Sequence, residues 1–152
     1  MPGIEDLIRR QHEIIERVGW AVMLIHPTAD DPDTVMPYAY TVGLTARALP
    51  EVVVTGLPLD LAHHLLNAMA ERVLNDGPVA HGTRMHQLLA GYDAVIIDGR
   101  PTDEVTPGAA IARYGADRVR LQQIVWPDQH GTFPWQQGCT LDPHSQPLTG
   151  TL

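Results

Sequence analysis

The side chains best suited to chemistry lie in the segment W-P-D-Q-H-G-T-F-P-W at residues 126–135. Asp128 and His130 are two residues apart, and a carboxylate and an imidazole can both transfer protons. Trp126 and Trp135 add the aromatic area that is typical of a small-ligand pocket. The same composition also fits a rigid turn, in which Asp128 caps backbone N–H groups and the indole rings lie in the core. The segment therefore predicts either a pocket wall with one acid–base group or a structural turn.

A second segment, Y-A-Y-T-V-G-L at residues 38–44, combines two tyrosines with a glycine. On a strand Tyr38 and Tyr40 project from the same face, so their hydroxyls can converge on one ligand or pair with buried backbone. Gly43 permits a positive φ or a close approach of the backbone. Packing across strands is the alternative role of the two rings. The expected ligand-binding residues are Tyr38, Tyr40, Thr41, Trp126 and Trp135.

The chain has eight histidines, which could serve a metal site. His63 and His64 are adjacent, so on a helix they point about 100° apart and cannot share a face as the histidines of H-E-x-x-H do. The remaining candidates are spread along the chain and could meet only through the fold: His26, His81, His86 and His130. We expect no structural or catalytic metal and no cofactor.

The chain has few candidates for a nucleophile or a nucleotide site. Ser145 lies in H-S-Q without the strand–turn–helix elbow of a serine hydrolase. Cys139, in Q-G-C-T, is not next to a helix terminus that would activate its thiol. The sequence contains no phosphate-binding P-loop and no G-x-G-x-x-G motif, so nucleotide binding by these devices is disfavoured.

Composition narrows the classes of function further. The 152 residues carry a formal charge of -8, and all ten basic residues are scattered arginines. Nucleic acids and anionic membranes need a concentrated basic patch, so we expect neither as a partner. A single cysteine, the absence of an apolar run of about 18 residues and an acidic N-terminal segment predict a soluble, cytoplasmic protein.

Hydrophobic periodicity predicts the helices and strands that carry these residues. Apolar residues at helical spacing predict amphipathic helices over 4–18 and 58–76, and a shorter helix over 107–114. Five strands are predicted, at 20–25, 37–42, 50–56, 94–97 and 120–126. No strand is predicted over residues 80–91, where Met85, His86, Leu88 and Leu89 could instead form a short helix.

These elements predict one α+β domain over residues 1–152. A mostly antiparallel sheet of about five strands packs against the two main helices, because the strands come in hairpin-like groups rather than as a regular βαβ repeat. The core is expected to span about residues 4–135. Residues 136–152 are rich in Gly, Pro, Gln and Thr and predict an irregular tail that wraps the domain.

The order of several motifs resembles the bacterial family called domain of unknown function 4262. The motifs are G-W-A-V, P-Y-A-Y-T-V-G-L, L-P-E-V-V-V-T-G-L, L-L-N-A-M-A and I-V-W-P-D-Q-H-G-T-F-P-W, which extend from about residue 19 to 135. The resemblance implies relatives but no established activity, so it lends no catalytic residue. Positions that match the family motifs are Tyr38, Tyr40, Thr41, Gly43, Glu51, Asn67, Trp126, Pro127, Asp128, Gly131, Pro134 and Trp135.

Two functions of different classes follow. The first is a small-ligand-binding protein or an enzyme, with a pocket between the strand end at 38–43 and the loop at 126–135. Tyr38 and Tyr40 would orient the ligand, while Asp128 or His130 would transfer a proton. The alternative is an acidic protein-interaction module, such as an inhibitor or immunity-like partner of a basic protein. Its contacts would come from Asp30, Asp31 and Asp33.

Overall fold

The structure is a computed structural model that describes residues 3–152. Its helices are α1 (Ile4–Val18), α2 (Leu59–Asp76) and α3 (Gly108–Tyr114), and a one-turn 3-10 helix covers Leu44–Arg47. Its strands are β1 (Ala21–Ile25), β2 (Tyr38–Val42), β3 (Glu51–Thr55), β4 (Arg84–Leu89), β5 (Tyr92–Gly99) and β6 (Leu121–Val125). The fold class is α+β.

The six strands among the described residues form one mixed sheet in the order β1-β2-β3-β6-β5-β4. Neighbouring strands are antiparallel except β3 and β6, which are parallel. The expectation of about five mostly antiparallel strands is therefore corrected to six strands in a mixed sheet. The additional strand is β4, whose register shifts between Met85 and Leu89. That irregularity interrupts the alternation by which a strand is recognised in sequence.

Helix α2 covers one face of the sheet. Its stripe of buried residues repeats at helical spacing: Ala62, Leu65, Leu66, Met69, Ala70 and Val73. The stripe packs against alternate strand residues, among them Ala39, Val52, Val54, Ile96 and Ile124. Because successive strand residues point to opposite faces, the intervening residues line the other face.

That second face is covered in two parts. Helices α1 and α3 pack over its β1–β3 half, where the buried residues include Ile15, Tyr40, Val42 and Val53. The loop that follows β6 packs over its β5–β6 half, where Phe133 is buried with Val95, Ile97 and Val125. Each half therefore has its own apolar cluster.

On this second face of the sheet, the buried side chain of Gln123 binds residues 147 and 149 near the end of the sequence. The Gln123 amide donates to the carbonyl oxygen of Pro147 at 2.9 Å, and its oxygen accepts from the N–H and hydroxyl of Thr149, both at 2.8 Å. The side chain of Gln146 pairs with the backbone N–H and C=O of Trp126 at 2.9 and 2.8 Å. Specific hydrogen bonds therefore hold residues 146–149 against the sheet.

A buried glutamate shapes the turn after β2. Glu51 is fully buried and accepts hydrogen bonds from the hydroxyls of Thr41 and Thr45 and from the N–H groups of Gly43, Leu44 and Thr45. These three N–H groups are at the start of the 3-10 helix, where backbone donors otherwise lack partners. The carboxylate therefore caps this helix and ties β2 to β3.

Gly43 in the same turn has a steric reason to be glycine. Its φ is 136°, a conformation that L residues rarely adopt, and a Cβ there would lie 2.5 Å from the carbonyl oxygen of Gly19. Thr41, Gly43 and Glu51, three of the family-motif positions, thus form one structural unit.

Candidate functional site

The two tyrosines of β2 lie on the face covered by α1 and α3. The Tyr38 hydroxyl donates to the carbonyl oxygen of Thr106 at 3.0 Å, and the Tyr40 hydroxyl accepts from the N–H of Ala109 at 2.9 Å. Their ring centroids are 6.2 Å apart. Burial raises the pKa of Tyr40. The hydroxyls do converge, but on the backbone that leads into α3.

Thr41 points to the opposite face and is fully buried. Its hydroxyl donates to Glu51 at 2.9 Å and accepts from the N–H of Val52 at 2.9 Å. Both hydrogen-bonding functions of the hydroxyl are used within the protein.

The expected pocket between the end of β2 and the loop after β6 is not assembled. Strand β2 is antiparallel to β3, and β6 is parallel to β3, so β2 and β6 end at opposite ends of the sheet. Tyr38, at the start of β2, is at the same end as Trp126. Trp126, however, packs against the α2-side core, whereas Tyr38 packs on the other face.

Both tryptophans of the predicted set contact the protein interior. The Trp126 indole N–H donates to the carbonyl oxygen of Thr55 at 2.8 Å. The Trp135 ring stacks on Phe133 with centroids 5.4 Å apart and planes 5° from parallel. The structure therefore does not bring Trp126 and Trp135 to the tyrosine pair.

Asp128 is the centre of a buried network within the loop. One carboxylate oxygen accepts from the N–H groups of His130 and Thr132, both at 2.9 Å, and the other accepts from the N–H and hydroxyl of Thr140 at 2.8 and 3.0 Å. The side chain is buried, with the residue 2% exposed. The Thr140 N–H, followed by the Thr132 N–H, holds the pKa of Asp128 well below its ordinary value. These are the hydrogen bonds of a turn-forming carboxylate.

His130, from the same loop, is exposed and faces the β4–β5 hairpin. Between loop and hairpin is an open polar cavity of about 440 Å³, here called the hairpin concavity. Its lining residues are Arg84, His86, Gly91, Tyr92, Asp93, Gln129, His130 and Gly131. Of the two predicted acid–base candidates, His130 lines this concavity and Asp128 does not.

The hairpin contributes a linked set of charged side chains to this concavity. The Nδ1 atom of His86 lies 2.9 Å from a carboxylate oxygen of Asp93, and Arg84 donates to the other oxygen at 3.3 Å. The hydrogen bond from His86 is the largest cause that lowers the pKa of Asp93, and Arg84 adds to it. The guanidinium of Arg84 also stacks over Phe133, with its carbon 5.2 Å from the ring centroid.

Strand geometry explains why these side chains meet. Met85 is paired with Ala94, so the next pair outward places His86 opposite Asp93 on one face of the hairpin. Arg84, two residues before His86, lies on that same face. Arg84 and Asp93 are not among the candidates predicted from the sequence, because the pattern over β4 does not predict a strand. The alternation R-x-H in 84–86 facing Asp93 is the signal that could have found them.

A second, apolar pocket of about 360 Å³ adjoins the hairpin concavity. It is lined by Leu57, Leu61, Leu89 and Trp126 among others, and it shares Tyr92 and Gln129 with the concavity. The Tyr92 hydroxyl donates to the carbonyl oxygen of Gln129 at 3.3 Å and so bridges hairpin and loop between the two pockets. Polar and apolar recesses therefore lie side by side.

The remaining sequence candidates are dispersed. Within residues 3–152, no three His, Cys, Asp or Glu side chains are arranged as a metal site. His81 accepts from the N–H of Asp98 at 2.8 Å, away from the concavity. In the β1–β2 loop, Asp31 accepts from the N–H and hydroxyl of Thr28 at 2.7 and 3.1 Å, so it shapes its own turn. No helix in the described part of the chain is long and apolar enough to span a membrane.

These features define an α+β protein with a mixed six-stranded sheet and a polar concavity between a hairpin and a loop. Comparison with protein families places residues 14–140 in the family described as Domain of unknown function (DUF4262). The match covers most of the chain, and the protein belongs to this family. No curated protein and no solved structure matched the chain.

Proposed function

We propose that this protein binds a small anionic molecule in the hairpin concavity and that His86 exchanges a proton with it. The observation that carries the proposal is the 2.9 Å contact between His86 Nδ1 and Asp93. A carboxylate on one imidazole nitrogen sets the tautomer and orients the ring, so the other nitrogen is presented to a ligand. The His86 side chain is 72% exposed, so Nε2 is within reach of a small molecule.

The sign of the ligand charge follows from the lining of the concavity. Arg84, His86 and His130 can carry positive charge, whereas Asp93 is the one acid among the described lining residues. Arg84 uses one hydrogen bond on Asp93, and a guanidinium has five N–H donors. A carboxylate or phosphate group is the ligand that these donors suit.

The neighbouring apolar pocket supports a further feature of the ligand. Trp126, Leu57 and Leu89 line a recess that begins at the Tyr92–Gln129 bridge. An anionic group near Arg84 and an apolar group in this recess would both be accommodated by one molecule. The proposed ligand is therefore a small acid with an aryl or alkyl group. His130 and Trp126 remain in the proposed site, whereas Asp128 supports the loop that carries them.

The proposal can be tested by titrating the protein with benzoate, phenyl phosphate and inorganic phosphate. Binding is monitored through the imidazole NMR signals of His86 and His130. We expect phenyl phosphate to perturb both histidines and Arg84→Gln to weaken its binding about tenfold, since a charge-assisted bidentate contact is lost. His64→Gln is the matched control, because His64 is an exposed histidine on α2. If none of the three anions perturbs either histidine, or if Arg84→Gln binds as the wild type does, the proposed function is wrong.

A further inference from the structure

Tyr92 is an exposed aromatic residue at the tip of the β4–β5 hairpin. It is paired with Leu89 across a short turn in which Gly91 has a positive φ of 80°. Tyr92 is 42% exposed and lies outside the three buried apolar clusters of the core. Aromatic side chains stabilise a fold mainly through the area that they bury. The stability of the fold therefore gives little reason for a tyrosine at this position.

The position of Tyr92 connects the two cavities beside the hairpin. Among the described residues, Tyr92 and Gln129 are the two that line both the hairpin concavity and the apolar pocket. The Tyr92 hydroxyl donates to the Gln129 carbonyl oxygen at 3.3 Å, so this contact lies at the border between the cavities. A molecule that occupies both cavities must therefore pass along these two residues.

Strand alternation places the Tyr92 ring on the apolar side of that border. Successive strand residues point to opposite faces, so Tyr92 points away from the face that carries Asp93 and His86. Ala94, two residues after Tyr92, packs in the apolar cluster under α2. Leu89, the partner of Tyr92 in the hairpin, lines the apolar pocket with it. The ring is thus presented to the apolar group of a ligand, whereas the charged side chains are presented to its anionic group.

The apolar pocket has a second aromatic ring in its lining. Trp126 is fixed there, because its indole N–H donates to the carbonyl oxygen of Thr55 at 2.8 Å. Asp128 also lines the pocket, but its oxygens already accept hydrogen bonds from its own loop and from Thr140. Contacts between aromatic rings are favoured beyond the area that they bury. A ligand with an aryl group therefore suits this pocket better than one with an alkyl group.

We propose that Tyr92 determines the specificity of this site, because its ring contacts the apolar group of the ligand and selects an aryl acid over an alkyl acid or an inorganic anion. This inference rests on the proposed function, since it needs an anion bound near Arg84. The Tyr92 hydroxyl holds the ring against the loop through Gln129. Tyr92 thus selects which anion is bound and takes no part in the proton exchange assigned to His86.

The experiment measures the dissociation constants of inorganic phosphate, butyl phosphate and phenyl phosphate by calorimetric titration. The three ligands share a phosphate group, so a change in the ratio of their dissociation constants reports on the apolar group. Tyr92→Ala removes the ring, whereas Tyr92→Phe keeps the ring and removes the hydroxyl. Leu24→Ala is the matched control, because Leu24 is 37% exposed on the edge strand β1, outside both cavities. Circular dichroism confirms that each variant is folded.

We expect the wild type to bind phenyl phosphate about tenfold more tightly than inorganic phosphate and about threefold more tightly than butyl phosphate. In Tyr92→Ala the first preference should fall to about twofold and the second should disappear. The dissociation constant of inorganic phosphate should change by less than about twofold in this variant. Tyr92→Phe and Leu24→Ala should keep both preferences of the wild type.

Equal preferences in the wild type and in Tyr92→Ala would overturn the inference. An equal loss of preference in Tyr92→Phe would also overturn it, because the position of the loop rather than the ring would then set the preference. A wild type that binds inorganic phosphate without preferring phenyl phosphate would overturn this inference and leave the proposed function standing. If none of the three phosphates binds, the proposed function is wrong, and the inference fails with it.

Discussion

Asp128 and Asp93 belong to the two segments that border the hairpin concavity, the loop after β6 and the β4–β5 hairpin, but only Asp93 lines it. Asp128, in the loop, is buried and takes four hydrogen bonds from Thr140, Thr132 and His130. Asp93, in the hairpin, is 31% exposed at its side chain and is bonded to His86 and Arg84, which themselves face solvent. A carboxylate whose oxygens accept hydrogen bonds from backbone N–H groups stabilises the conformation of its loop. A carboxylate that is bonded to exposed side chains can orient those side chains toward a ligand.

The largest effect on stability is expected when Asp128 is changed. In Asp128→Asn, the side-chain oxygen would take the position that accepts hydrogen bonds from His130 and Thr132. The amide nitrogen, a donor, would then face the N–H and hydroxyl donors of Thr140. We expect the melting temperature to fall by about 5 °C or more, measured by calorimetry.

Asp142→Asn provides the control for that substitution. Asp142 is in an exposed turn and accepts one side-chain hydrogen bond from the His144 N–H at 2.8 Å. Its substitution should shift the melting temperature by less than about 2 °C. Equal effects of the two changes would show that the Asp128 network does not stabilise the loop.

A pH series tests the contribution of the Asp128 carboxylate to stability. Because the hydrogen bonds from Thr140 and Thr132 lower the pKa of Asp128 in the folded protein, its stabilising contribution is complete above the ordinary aspartate pKa of about 4. The contribution is lost as pH falls through the lowered folded-state pKa. Asp128→Asn should therefore flatten the fall in stability below about pH 4, as seen by urea unfolding at stepped pH. An unchanged slope would contradict the assignment.

The smallest effect on stability is expected at the hairpin. Asp93→Ala removes the acceptor for His86 and Arg84, but exposed pairs contribute little, so the melting temperature should change by less than about 2 °C. The tautomer of His86 should respond instead. We expect the fraction of neutral imidazole protonated at Nδ1 to fall, measured by nitrogen chemical shifts. A large loss of stability with an unchanged tautomer would reverse the roles inferred for the two aspartates.

Local sequence pattern predicted several elements closely. Helix α1 is predicted at its observed bounds, and α2 begins one residue later than predicted, because the apolar stripes of both helices repeat at 3.6 residues. The β-branched run at 50–56 predicts β3 for the same local reason. Strand β4 could not be recognised in the same way, because its bulge breaks the alternation.

The candidate site was harder to predict than the elements. The W-P-D-Q-H segment indicated both an acid–base group and a structural turn, and only hydrogen bonds from Thr140, twelve residues away, show how Asp128 is used. The sequence offers His86 only as a possible metal ligand. Its pairing with Asp93 depends on the register of a hairpin.

Local pattern and composition are enough to predict the two main helices, most of the strands, the acidic charge and the family motifs, because these depend on neighbouring residues alone. Only the folded chain shows that β3 and β6 are parallel neighbours, that Tyr38 and Trp126 lie on different faces, and that His130 faces the hairpin. The physical reason is that strand order and side-chain proximity depend on closing long loops and burying whole faces together. No local window of residues contains that information.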